Sequence, residues 1–228
     1  MLQVVPNGGR KEGVPVTPAE VAAAVRAAVV AGADDVHLHP RDGSGAETMD
    51  PEAVAAVVSA VRTAAPGIPV GVTTAAWVEP DPAVRAKLIR TWTVLPDHAS
   101  VNFHEEGAEL VAEALLEHGI GIEAGVFSGT EGARRFLAWP WAGKSLRVLA
   151  EVVDIEPETP QRLLADLGEA AGVPVLLHGE NGSAWPVLEL AASLGLHARI
   201  GLEDTLHLPD GTPAADNAEL VRAARRLV

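Results

Sequence analysis

The chain has no cysteine. That excludes disulfides, thiolate zinc sites, iron-sulfur clusters and a thiol nucleophile, so any metal must be held by histidine and carboxylate. Basic charge is scarce too: 17 Lys and Arg face 31 Asp and Glu, for a formal net charge of -14 and an isoelectric point near 4.9. Nucleic acids and anionic membranes are recognised through clustered Lys and Arg, so neither is an expected partner, and a small molecule is. Long apolar runs are missing as well. Each is broken by Pro, Gly or a charge before the roughly 18 residues that a membrane span requires. No basic-then-apolar N-terminal stretch is present, and the expectation is a cytoplasmic enzyme.

What is present is an ordinary folded composition of 228 residues, 48% hydrophobic, with mean hydropathy +0.18. Short β-like runs alternate with longer Ala-rich amphipathic stretches. The strand-like runs are Leu2 to Pro6, His37 to His39, Ile68 to Thr74, Ala99 to Phe103, Ile120 to Phe127, Leu146 to Val153, Pro174 to His178 and Ala198 to Leu202. The helical stretches are Pro18 to Ala31, Asp50 to Ala65, Pro82 to Trp92, Ala108 to His118, Glu131 to Ala138, Pro157 to Ala171, Trp185 to Leu194 and Pro213 to Leu227. Thr17 with Glu20 spells a capping box, and Asp50-Pro51 an N-cap followed by proline. Eight βα units in this length predict one α/β domain over residues 1–228, a (β/α)8 TIM barrel. An open doubly wound sheet would carry a Gly-rich dinucleotide loop after its first strand, which Asn7-Gly8-Gly9 does not spell.

A barrel gathers its active site at the C-terminal ends of its strands. Asn7, His37, His39, Thr73, Thr74, Ser100, Asn102, Glu123, Asp154, His178, Glu203 and Asp204 all stand there. His37 and His39 are two apart on a strand and project from one face, so they can converge on one metal ion. Strands two and eight both flank strand one, roughly 10 Å apart at ~4.8 Å per spacing. Glu203 can therefore complete a His-His-Glu triad, the open three-ligand pattern of catalytic zinc. Asp204 is a candidate general base or a loop cap, and Arg199, sharing the parity of Glu203, needs a carboxylate partner. His178-Gly179-Glu180-Asn181-Gly182 is either a glycine-rich turn or a helix N-terminus that binds an anion. Trp139 and Trp141 around Pro140 read as a capping or interface patch.

Four segments together resemble one family. They are Pro15-Val16-Thr17-Pro18-Ala19-Glu20, Ala31-Gly32-Ala33 through His37-Leu38-His39-Pro40-Arg41-Asp42, Ser100-Val101-Asn102-Phe103, and Arg199-Ile200-Gly201-Leu202-Glu203-Asp204-Thr205 with Asn217-Ala218-Glu219-Leu220-Val221. In that order they resemble the β-keto acid cleavage enzymes, whose founding activity is 3-keto-5-aminohexanoate cleavage. The resemblance implies a zinc-dependent acyltransferase on a (β/α)8 barrel, condensing a β-keto acid with acetyl-CoA to yield acetoacetate and a new CoA thioester. It implies Zn2+ or another divalent metal on His37, His39 and Glu203, a proton-abstracting dyad of Asp204 with Arg199, and substrate contacts at Thr73, Thr74, Ser100, Asn102 and Glu123. Arg10 stands where the family often has an acidic residue, and Asp154-Ile155-Glu156-Pro157-Glu158 replaces a glycine-rich stretch. Arg10 is accordingly an expected contact for an anionic substrate group. Apolar helical faces and the tryptophan segment lead to the expectation of a homo-oligomer. The competing functions are another metal-dependent hydrolase or lyase on the same barrel, recruiting His178 and Asp204, and a non-catalytic metabolite-binding barrel.

Overall fold

Local signals set the first helix as the sequence requires. Glu20 donates its backbone N–H to Thr17 Oγ1 at 3.3 Å, its carboxylate accepts from Thr17 N at 2.9 Å, and Gly32 at φ 115° ends α1 (Pro18–Ala31). Asp50 likewise caps α2 (Pro51–Ala64), accepting from Glu52 N and Ala53 N. In this computed structural model, which describes residues 1–10 and 12–228, such units repeat around a closed parallel barrel. Its strands are β1 (Leu2–Val4), β2 (Asp35–Leu38), β3 (Val70–Val72), β4 (His98–Asn102), β5 (Gly121–Phe127), β6 (Arg147–Val152), β7 (Val175–Gly179) and β8 (His197–Ile200). The remaining helices are α3 (Pro82–Thr91), α4 (Ala108–Glu117), α5 (Gly132–Ala138), α6 (Thr159–Leu167), α7 (Ala184–Ser193) and α8 (Asn217–Ala224). The chain is thus a (β/α)8 TIM barrel, and β1 pairs with both β2 and β8 as expected. Among the described residues no helix is long and apolar enough to cross a membrane.

Several element ends differ from the sequence expectation, and three of them show their local cause. Helix α6 stops at Leu167 because Gly168 leaves the helical region at φ 53°, and α8 starts only at Asn217, where Asp216 accepts from Glu219 N at 2.8 Å. Strand β8 ends at Ile200 instead of Leu202. Gly201 there passes so close to β1 that a Cβ would stand 2.1 Å from the Val5 carbonyl oxygen. The chain then turns, with Asp204 N and Thr205 N both donating to Gly201 O at 3.0 Å.

The apolar core lies between strands and helices, with Leu2, Val4, Val36, Val70, Ala99, Ile122, Val148, Leu177 and Ala198 fully buried. Trp139 caps the C-terminus of α5, as the capping half of the sequence reading has it, and belongs to that core, packing against Phe103 at 5.4 Å between ring centroids; Trp141 is the exposed member of the pair, with Lys144 Nζ 4.1 Å from its ring. Inside the barrel, the lower layer is polar. Arg147 donates to Glu123 Oε1 (2.7 Å) and Asp35 Oδ2 (2.8 Å), Gln3 Nε2 bridges the same two carboxylates at 2.8 Å each, and His98 Nε2 meets Asp35 Oδ1 at 3.1 Å. Burial opposes charge on His98, but Glu123 and Asp35 outweigh it and raise its pKa to about 9. Two carboxylates therefore face one guanidinium and one imidazolium, which balances charge in a place where an unpaired ion is costly.

Candidate functional site

The closed barrel brings His37, His39 and Glu203 together, with one candidate ligand atom from each within 4.8 Å of the other two. Both histidines are faced by a carboxylate at Nδ1. His37 Nδ1 faces Glu123 Oε2 at 3.3 Å, a charge contact whose angle falls short of a hydrogen bond. His39 Nδ1 is paired closely with Glu47, and His39 Nε2 lies 3.5 Å from Glu203 Oε2. In both histidines Nε2 is thus the nitrogen left for a ligand, an orientation that carboxylate partners commonly impose on metal-binding imidazoles.

The backbone around them is clamped by side chains. Asn7 Nδ2 donates to His39 O (2.9 Å) while Asn7 Oδ1 accepts from His39 N (3.0 Å), so the end of β1 fixes the end of β2. Arg41 donates to the carbonyls of Gly8, Arg10 and Gly45, and Asn217 ties Leu202 N to Pro6 O. Arg10 Nε donates to Glu203 O at 3.2 Å and its Nη2 to Asn181 Oδ1 at 3.0 Å. The guanidinium expected to meet an anionic substrate group is therefore engaged within the protein, bracing the Glu203 loop. Gly8, at φ 56°, leaves room for Glu203, whose Cγ would lie 2.2 Å from a Cβ there.

Because β8 ends early, Glu203 and Asp204 both turn back to Arg199. Arg199 Nη2 donates to Glu203 Oε1 (2.8 Å) and Asp204 Oδ1 (2.7 Å), and its Nε reaches both Asp204 oxygens at 3.2 and 3.3 Å. Burial, together with nearby carboxylates, pushes the Asp204 carboxyl up to about 7 against the pull of Arg199. Glu203 is the opposite case: burial alone would raise it, but Arg199 and His39 hold it well below the usual carboxylate range. Burial disfavours charge on His39, yet Glu203 and Glu47 lift its pKa to about 9; at His37 burial prevails and lowers it. A buried ionised carboxylate thus stands beside an aspartate whose carboxyl is pushed up to about 7, a candidate ligand and a candidate base in adjacent residues.

The donor set fits a divalent cation. Glu203 Oε2 is buried without a hydrogen-bond partner, and two imidazoles with one carboxylate form the open three-ligand pattern that zinc accepts. Asp35, His98 and Glu123 also approach one another within 4.8 Å. There, however, Arg147 already donates to both carboxylates, and that cluster is an ion-pair network.

Of the other residues singled out from sequence, Thr73, one residue past β3, and Ser100 and Asn102 on β4 are buried at the mouth. Thr74 turns away to donate to Ser100 O at 2.6 Å. Glu123 lies below His37, between Arg147, Gln3 and His98. Asp154 is exposed and accepts from Glu156 N at 2.9 Å, and His178 is buried at the end of β7, outside the three-ligand cluster. Sequence reasoning missed Glu47, Trp77, Glu151, His98 and Arg147. Glu47 sits in a loop without a metal-site spacing; Trp77, 56% exposed, stacks over His39 at 6.4 Å and donates from Nε1 to Glu47 at 3.4 Å. Only Glu151, at the C-terminal end of a strand, carried a positional signal. Two open clefts flank the mouth, one of about 460 Å3 lined in part by Glu47 and Arg41, the other of about 500 Å3 lined in part by Arg10, Asn181, Trp185 and His207.

Comparison with known proteins bears on this geometry. Residues 2–228 match the profile of a family described as beta-keto acid cleavage enzyme. A 3-keto-5-aminohexanoate cleavage enzyme of Fusobacterium nucleatum is 27% identical over 94% of this chain and 84% of its own length. Its counterpart from Acetoanaerobium sticklandii is 25% identical over the same shares. Among solved structures, a ternary complex of ObcA with a C4-CoA adduct and oxalate superposes with a TM-score of 0.72 at 18% identity, over 95% of this chain and 64% of that one. The 3-dehydroquinate dehydratase of Geobacillus kaustophilus superposes at 0.62 with 16% identity, over 99% and 90%. At those identities the two structures establish the barrel fold, and the chain spans less than two thirds of ObcA.

Proposed function

This chain belongs to the beta-keto acid cleavage enzyme family, and from that premise we propose that it exchanges acyl groups between a β-keto acid and acetyl-CoA, releasing acetoacetate and a new CoA thioester. The observation that carries the proposal is the His37, His39 and Glu203 cluster lying directly against the Asp204–Arg199 pair. In the exchange the C2–C3 bond of the keto acid breaks, its C2 unit joins the acetyl group, and the CoA sulfur passes to the acyl fragment. A divalent cation on His37, His39 and Glu203, zinc in our reading, supplies a Lewis acid for the β-keto oxygen.

The protein's own groups do the rest. Asp204 takes a proton from C2 of the keto acid; Arg199, bonded to both of its oxygens, keeps the carboxylate oriented without neutralising it. Thr73, just past β3, and Ser100 and Asn102 on β4 present polar groups to the keto acid. Glu123 acts from beneath, as the group that orients His37, in place of a direct substrate contact. The thioester approaches through the open cleft lined in part by Arg10, Trp185 and His207. The acidic composition agrees with cytoplasmic work on small molecules, and exposed Trp141 and Leu137 with a homo-oligomer.

The test is to incubate metal-loaded protein with a panel of β-keto acids, with and without acetyl-CoA. Acetoacetate and a new thioester should appear in equal amounts. No product from any keto acid under any metal load would sink the proposal.

A further inference from the structure

Strand β4 ends in a turn in which Glu105 N donates to Asn102 O at 3.0 Å, and Arg135 on α5 donates to the Glu105 carbonyl at 2.7 Å. The turn brings the Glu105 side chain back to the end of its own strand. Buried there, its carboxylate accepts from three donors. Ala76 N reaches both oxygens at 3.0 Å, the fully buried Arg85 on α3 bonds Oε2 closely, and Asn102 Nδ2 donates to Oε1 at 2.9 Å. Arg85 also donates to the carbonyls of Thr74 and Glu106 at 3.0 and 3.1 Å. One buried ion pair thus joins the ends of β3 and β4.

A carboxylate paired with arginine accepts hydrogen bonds and donates none, whereas a side-chain amide has one end that donates and one that accepts. Glu105 therefore dictates which way the Asn102 amide points: its NH2 must face the carboxylate, and Oδ1 must face the mouth. The neighbouring strand makes room for that oxygen. Asn102 pairs in register with Gly125 of β5, where a Cβ would stand 2.4 Å from Oδ1. Among the described residues none donates to Oδ1, so its acceptor capacity is unspent.

We propose that Glu105 is a positioning residue for the keto acid reaction, acting through Asn102: it fixes the amide so that Oδ1 accepts a hydrogen bond from the substrate. The inference rests on the keto acid cleavage reading and adds to that site a residue that touches no substrate itself. A purely structural tie between β3 and β4 needs the Arg85 pair and the Ala76 bond. It needs neither an amide at Asn102 nor the vacant place at Gly125 that receives Oδ1.

The test is a double-mutant cycle on kcat/KM and on calorimetric binding of acetoacetate to the zinc-loaded protein, with thermal melts to confirm folding. Asn102→Ala and Glu105→Gln should each lose about tenfold or more, because an amide in place of the carboxylate no longer selects one orientation of Asn102. Together they should lose no more than about threefold beyond the larger single loss. Asn102→Asp keeps an acceptor oxygen and leaves Glu105 and Arg85 untouched, yet it should lose as much as Asn102→Ala, since it has no N–H for Glu105. Adding Glu105→Gln to it supplies the missing donor and should recover about tenfold. If Glu105→Gln does not fold, the comparison of Asn102→Asp with Asn102→Ala decides. Losses that multiply in the double variant, no recovery in the exchanged pair, or an Asn102→Asp protein as active as the parent overturn the proposal. If the parent binds acetoacetate but cleaves no keto acid, the cleavage reading fails, while the same cycle on binding still judges Glu105; a parent that does neither overturns both.

Discussion

His37 Nδ1 stands 3.3 Å from Glu123 Oε2, and the same oxygen lies 3.1 Å from His98 Nδ1, so one buried carboxylate joins the layer of the candidate metal ligands to the ionic layer beneath it. Glu123→Gln should therefore act in two ways. Metal affinity should fall by about 10- to 100-fold through the loss of orientation at His37. Stability should fall by about 3–5 kcal/mol, because Arg147 and His98 are left with an uncompensated buried charge. A chelator competition and a denaturant titration measure the two effects; a change in neither would separate Glu123 from the site.

Glu47 offers the contrast. It backs His39 from an exposed loop and is only 16% exposed itself, without a share in the ionic layer. Glu47→Gln should lower metal affinity by about 10- to 100-fold and leave the thermal midpoint nearly unchanged. A variant that melts early with its affinity intact would assign Glu47 to folding.

Asp204→Asn removes the proton acceptor and keeps its shape. The turnover number should drop by roughly 10^2- to 10^4-fold, the usual worth of a positioned base. Metal content should stay at the parent level, as Glu203 remains in place. Unaltered turnover would remove Asp204 from the chemistry.

Gly8→Ala tests the packing that seats Glu203. The added Cβ would overlap Glu203 Cγ, and φ 56° is a strained angle for alanine. The variant should lose about 1–2 kcal/mol of stability together with much of its metal affinity, read by titration with zinc. Parent-like affinity would show that the Glu203 side chain is free to shift.

His98 carries a pH signature. Its folded pKa of about 9 lies above the ordinary imidazole value of 6.5, so the native state binds more protons than the unfolded chain between them. The stabilisation is complete below the lower value and disappears as pH rises through the higher one. The thermal midpoint should fall across this window in the parent and less steeply in His98→Gln. His39, also near 9, contributes to both proteins alike. Identical pH slopes would contradict a charged His98.

Much of this was legible from local pattern. Thr17 with Glu20 and Asp50 with Pro51 mark helix starts by bonds within one turn, and the alternation of strand and helix predicts eight units. Position two apart on one strand was enough to pair His37 with His39. Where the sequence pattern overran, a single residue decided the boundary, as Gly168 does for α6.

The sequence by itself determined the barrel, the His-His pair and the candidacy of Glu203 and Asp204, because strand periodicity, capping and parity act over a few residues. Only the tertiary structure decided that both acidic residues face Arg199, since that depends on β8 ending at Ile200 where Gly201 meets the β1 backbone. It also decided the partners of the site: Glu123 under His37, Glu47 behind His39, and Glu151 beside His178. Apart from Glu47, whose loop follows His39 directly, these pairs come from strand positions 27 and 86 residues apart, and closing the barrel is what makes them neighbours.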